Sequence, residues 1–182
     1  FADSVTQWSD APMGLPPGVK SLAPAGVTTM LYSSGGDRRA TSDYALLQKA
    51  FAILERKEAD RPVCIFLAMS EPHPPYTAPD SFGAMYKPAD LPPLIPPGLA
   101  KKPNFHAAIR RKFGLERASD ADLRQVRATY YGQVSYADWL LGEMLEALDR
   151  TGRTKDTALF VASDHGDYAG DYGLIEKWPS GM

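Results

Sequence analysis

The stretch Ala158-Leu159-Phe160-Val161-Ala162-Ser163-Asp164-His165-Gly166-Asp167 decides how this chain is read. An apolar run rich in β-formers stops abruptly at Ser-Asp-His-Gly-Asp. A short continuous apolar run predicts a strand buried on both faces, as in a parallel sheet. Such a strand would carry the Asp164 carboxylate and the His165 imidazole to its C-terminal end, the edge at which open α/β sheets bind ligands. Adjacent Asp and His side chains reach one cation if the backbone turns sharply between strand and loop, and Gly166 permits that turn. A polar strand end closed by a turn glycine is the other reading, and an isolated Asp-His-Gly does not separate the two.

A second apolar run, Pro62-Val-Cys-Ile-Phe-Leu-Ala-Met69, predicts a central strand with Cys64 as an inert core residue. It also ends in polar residues, Ser70-Glu71-Pro72-His73-Pro74-Pro75-Tyr76. Three prolines around one histidine leave His73 little conformational freedom to lose. A preorganised imidazole at a strand end suits anion binding or proton transfer, while a proline-rich surface loop with an incidental histidine is the alternative. Residues 71–103 hold ten of the sixteen prolines. The excursion 71–118 therefore reads as the rim or lid of a site. His106, among Lys101, Lys102, Arg110, Arg111 and Lys112, is expected on a solvated basic helix without a role.

Elsewhere the pattern alternates between strand and helix. Residues 1–26 are rich in proline and glycine and read as irregular chain. Val27–Tyr32 predicts a short strand closed by Ser33–Gly36. Thr41-Ser42-Asp43 opens a helix whose apolar face is Leu46, Leu47, Ala50, Phe51 and Leu54, and Asp60-Arg61-Pro62 ends it. Ser119 is the expected N-cap of a second helix with a core stripe at Leu123, Val126, Tyr130, Val134, Ala137, Leu141, Met144 and Leu148. Thr151-Gly152 stops that helix. The order predicts an α/β fold: right-handed crossovers and a mostly parallel sheet with flanking helices.

Composition narrows the function classes. The 182 residues suit one domain, with 44% apolar and 23% charged residues, as in globular proteins. A net charge of −2 and a pI near 5.9 give no electrostatic case for a nucleic-acid partner. Cys64 is the single cysteine, which excludes an intrachain disulfide. No apolar run approaches the ~20 residues a membrane helix requires, so no membrane partner is expected.

The combination resembles the sulfatases of the alkaline phosphatase superfamily. Three motifs carry the resemblance, in order and in register: Glu71-Pro-His-Pro-Pro-Tyr-Thr-Ala-Pro79; Ala128-Thr-Tyr-Tyr-Gly-Gln-Val-Ser-Tyr-Ala-Asp138 leading into Leu145-Glu-Ala-Leu-Asp149; and Ser163-Asp-His-Gly-Asp-Tyr-Ala-Gly-Asp-Tyr-Gly-Leu-Ile-Glu-Lys177. The resemblance runs from about residue 41 to the end. It implies an alkaline phosphatase-like fold and hydrolysis of a small-molecule or saccharide sulfate ester. Asp164 and His165 then correspond to the metal-binding pair, with calcium expected and manganese or zinc the alternatives. His73 corresponds to the histidine that contacts the ester and assists the leaving group, and Lys177 to the lysine that holds the anion. Tyr76 and Asp167 are expected to support these residues from behind. A phosphonate monoester or phosphodiester hydrolase of the same superfamily is the second reading, and a non-catalytic binding protein on that scaffold the third.

The nucleophile of these sulfatases is a formylglycine made from Cys or Ser in a C/S-x-P-x-R motif, and two aspartates near the N-terminus complete the metal site. Neither feature occurs here, and Cys64 lies in Cys-Ile-Phe-Leu. The chain begins at Phe1 and stops at Met182. Residues 1–182 are accordingly expected to be part of one sulfatase catalytic domain, with the nucleophile-bearing N-terminal part and the small C-terminal subdomain outside them, and to be inactive alone.

Overall fold

The computed structural model describes residues 20–21, 31–34, 36–56 and 62–177. In chain order the elements are β1 (Lys20–Ser21), β2 (Leu31–Ser34), α1 (Ser42–Leu54), β3 (Tyr76–Ala78), α2 (Phe105–Lys112) and α3 (Asp120–Arg150). The expected irregular segment 1–26 lies outside the described residues except for β1, and so does most of the predicted strand 27–32.

The helices begin where the sequence says they should. The Thr41 hydroxyl accepts from Tyr44 N–H at 3.1 Å and caps α1. That helix ends at Leu54, short of the predicted stop at Asp60-Arg61-Pro62, and residues 57–61 are not described. Ser119 caps α3, and Asp122 returns the bond to Ser119 N–H, completing a reciprocal box. At the other end, Gly152 N–H reaches Asp149 O at 2.9 Å and Arg153 N–H reaches Leu148 O at 2.9 Å. This double closure requires a left-handed residue, and Gly152 has φ +68°.

The 31 residues of α3 form a rod of about 46 Å at ~1.5 Å per residue. Three apolar clusters lie along it. Leu123 and Val126 pack with Tyr76, Leu115, Tyr168, Leu174 and Ile175. Tyr136 and Leu140 pack with Tyr44, Leu47, Ala78 and Phe82. Met144, Ala147 and Leu148 pack with Ala50 and Leu54 of α1. The buried seam differs from the predicted stripe in its middle. Gln133, Tyr136 and Leu140 face inward, whereas Val134 is 44% exposed. Polar side chains occupy core positions there because each finds a hydrogen bond, which hydropathy alone does not show. Gly132 lets the helix approach closely: a Cβ there would lie 2.3 Å from Phe82 O.

β2 pairs with β3 in parallel, Tyr32 opposite Tyr76 and Ser34 opposite Ala78, and β1 adds antiparallel to β2. The predicted strands at 62–69 and 157–162 run without ladder partners among the described residues, so the larger parallel sheet is not seen. Segment 62–69 nevertheless alternates: Ile65, Leu67 and Met69 pack on the helices, and Phe66 on the other face is 79% exposed. Phe160 is 89% exposed. A strand needs neighbours for its backbone groups as well as an apolar sequence. Cys64 lies on the outward face and is exposed, not the core residue expected. Among the described residues no helix is long and apolar enough to cross a membrane.

The excursion 71–118 holds β3, three 3-10 turns and α2. β3 escaped the sequence reading because only Tyr76-Thr77-Ala78 separates Pro75 from Pro79. His106 is a correction: on α2 it is buried against Tyr168 and Tyr172 rather than solvated, and burial lowers its pKa. Three of the basic residues, Arg110, Arg111 and Lys112, sit on the last turn, where cations suit the helix dipole.

Candidate active site

Two loops meet at one edge of the molecule. The first, 70–75, leads into β3 and carries His73. The peptides Glu71–Pro72 and Pro74–Pro75 are cis, and His73 N–H closes a turn on Ser70 O at 2.7 Å. Its ring Nδ1–H donates to Pro74 O at 2.7 Å, which leaves the Nε2 lone pair facing outward.

The second loop, 163–177, folds back on itself. Tyr168 N–H bonds to Glu176 O at 3.2 Å and Gly170 N–H to Leu174 O at 2.8 Å. Three non-glycine residues take positive φ: Ala169 (45°), Tyr172 (58°) and Glu176 (65°). Each such residue costs about 1 kcal/mol or more, so the turn is held by its surroundings. Arg127 of α3 supplies one anchor: its guanidinium donates to Ala169 O at 2.9 Å and pairs with Asp171. Asp167 supplies another, accepting from Ala169 N–H at 2.7 Å, Glu176 N–H at 3.2 Å and the Tyr76 hydroxyl at 3.0 Å. Burial pushes the Asp167 carboxyl up, against the pull of those donors. Burial and the nearby Asp167 charge also push the Tyr76 phenol well above its usual range. Tyr76 is fully buried, so this contact ties β3 to the turn that ends at Lys177.

The result is convergence across 104 residues of sequence: Lys177 Nζ–H donates to His73 Nε2 at 3.1 Å. The His165 ring lies edge-on to that of His73, with centroids 6.0 Å apart. Asp164 Oδ1 is 3.6 Å from His165 Nε2, and its side chain is 88% exposed. All four residues singled out from the sequence, His73, Asp164, His165 and Lys177, therefore lie on these two loops.

Asp164 and His165 provide one hard oxygen donor and one nitrogen donor. His165 Nδ1–H donates to Gly166 O at 2.9 Å, which orients Nε2 as the available ligand atom. The pair fits a divalent cation as part of its shell. Among the described residues no group of three or more His, Cys, Asp or Glu side chains could hold a metal ion.

Beneath the His73 loop lies a polar trio to which the sequence assigns no site role, buried Asp43 and Gln133 with half-buried Glu71. Asp43, expected to cap α1, instead accepts from Ser70 N–H at 2.9 and 3.0 Å and from Glu71 N–H at 2.8 Å. Gln133 of α3 donates its amide to Glu71 Oε2 at 2.9 Å, Pro75 O at 3.2 Å and His73 O at 3.3 Å. Burial, with the nearby Asp43 charge, raises the Glu71 carboxyl to about 8. The available signal was a glutamine at a helix position flanked by aromatic core residues.

Comparison with known proteins defines the class first. The structure resembles a phosphonate monoester hydrolase of Agrobacterium radiobacter, with TM-score 0.62 and 26% identity over 81% of this chain and 31% of that one. The multifunctional alkaline phosphatase superfamily protein PehA of Trinickia caryophylli is 33% identical over 71% of this chain and 28% of its own length. An arylsulfatase of Clostridium perfringens is 28% identical over 72% of this chain and 28% of its own. The class they outline joins a phosphonate monoester hydrolase, an alkaline phosphatase superfamily protein and an arylsulfatase. The Sulfatase family profile matches residues 7–181, and the chain belongs to that family. It spans less than a third of the length of each of these relatives.

Proposed function

We propose that this chain contributes the anion-binding loops and part of the metal site of an enzyme that hydrolyses sulfate esters of small molecules or saccharides. The observation that supports it most is the approach of Lys177 Nζ to His73 Nε2 at 3.1 Å beside the Asp164–His165 pair. A sulfate monoester presents anionic oxygens, and fixed positive charge around them favours a transition state in which charge moves. Lys177 would hold one of those oxygens. His73, once Nε2 has taken up a second proton while Nδ1–H stays on Pro74 O, would present Nε2–H to the ester oxygen. As the S–O bond to the alcohol breaks, that proton would pass to the departing oxygen. A cation held by Asp164 and His165 would act as a Lewis acid; calcium is the family expectation, while an imidazole ligand suits manganese or zinc. The nucleophile, a formylglycine, and the remaining metal ligands would come from outside residues 1–182.

A second reading, phosphonate monoester hydrolysis, is supported by the likeness to the Agrobacterium enzyme. Turnover of paired aryl sulfate and aryl phosphonate monoesters by the complete enzyme distinguishes the two. His73→Ala and Lys177→Ala are each expected to lower kcat/KM on the true substrate at least ~100-fold, the range of lost acid catalysis or oxyanion contact. Unchanged turnover in both variants would refute the assignment.

A further inference from the structure

We propose that Gln133 is a positioning residue for His73, gripping the loop from the buried face of α3 so that the imidazole meets Lys177. This rests on the reading of His73 and Lys177 as an oxyanion pair. Gln133 is fully buried in the seam of the helix, in line with Tyr136 and Leu140. An apolar side chain there would satisfy packing. Instead the amide shares its two N–H donors among three acceptors of one loop, Glu71 Oε2, His73 O and Pro75 O, on His73 itself and two residues to either side of it. Its own Oε1 is buried and has no partner among the described residues. What the amide adds beyond packing is its hold on that loop.

The geometry explains it through the loop. His73 Nδ1–H is tied to Pro74 O, so the ring turns with the 73–75 backbone. Gln133 binds the carbonyls at both ends of that unit, and Asp43 of α1 holds the preceding amides of Ser70 and Glu71. The Glu71 carboxyl bridges the two grips, receiving the Gln133 amide while its own N–H bonds to Asp43. Releasing Gln133 frees the half of the loop that aims the ring, and leaves Lys177, held through Asp167 and Tyr76, where it is.

The experiment follows the His73 and His165 rings by 13C relaxation, with inorganic sulfate titrations and thermal melts on the same samples. In Gln133→Leu the His73 Cε1–H order parameter is expected to fall while that of His165 stays as in wild type, and sulfate affinity to drop about ten-fold. Should Gln133→Leu fail to fold, the acceptor side decides. Glu71→Leu is expected to lose His73 order, and Glu71→Gln, which keeps an oxygen for Gln133, to retain it and bind sulfate within two-fold of wild type. A His73 ring as ordered in the folded variants as in wild type overturns the proposal. A wild-type protein that shows no sulfate binding, yet loses His73 order on substitution, sinks the oxyanion reading and leaves the positioning role standing.

Discussion

Glu71 is where a single side chain makes the protein pH-sensitive. Its carboxyl is raised to about 8 by burial and by Asp43, against 4.5 ordinarily. Between those values the folded state keeps a proton that the unfolded chain has lost. Stability linked to this group is complete below pH 4.5 and is lost progressively as pH rises toward 8, at up to about 1.4 kcal/mol per unit. Glu71→Gln removes the titration, so the melting temperature of wild type should fall relative to that variant between pH 5 and 8. Parallel curves would show that the carboxyl is ionised throughout. At the proposed metal pair, Asp164→Ala should lower the divalent metal content of the complete enzyme in elemental analysis, and equal content would remove Asp164 from the shell. The sequence made His73, Asp164, His165 and Lys177 visible because each follows an apolar run or sits in a family motif. It gave no site role to Glu71 or Gln133, although both lie in the quoted motifs, nor to Asp43 beyond the helix start, because their partnership is set by contacts between segments far apart in sequence.

At the scale of elements, local rules were legible and lateral ones were not. Caps are written in adjacent residues: Ser119 with Asp122, and Gly152 after Arg150. Ser119→Ala should therefore cost about 1 kcal/mol in thermal or denaturant unfolding. The inward face of α3 depends on what packs beside it, and the expected Val134 gave way to Gln133. Gly132 is the same lesson in steric form. A methyl group there meets the Phe82 carbonyl oxygen at 2.3 Å, so Gly132→Ala must push the Asp80–Ala84 turn off the helix. The expected loss is about 1–3 kcal/mol, although alanine is the better helix former. A variant as stable as wild type would show that the turn yields freely.

At the scale of the whole molecule, the sheet among the described residues is small, three strands in the order β1-β2-β3. Segments 62–69 and 157–162 have the composition of central strands, and their outward side chains Val63, Phe66, Phe160 and Val161 are more than half exposed. Composition could identify them as strand-forming, but pairing is a property of two chains' worth of backbone and cannot be read from either one. Exposed apolar segments without ladder partners among the described residues invite association. Residues 1–182 expressed alone are expected to self-associate in light scattering, and Phe66→Ser with Phe160→Ser to reduce this without lowering the melting temperature. A monodisperse monomer would contradict that expectation.

The length of α3 carries a further consequence. Each of the three apolar clusters takes its residues from a different third of one helix, so none can open without loosening a rod shared by the others. The clusters should behave as one cooperative unit in native-state hydrogen exchange. Amides near Tyr136 and Leu140 would exchange only through global opening, while those of the 163–166 turn exchange early. The loops that carry His73 and Lys177 would then hang from a frame that opens all at once or not at all.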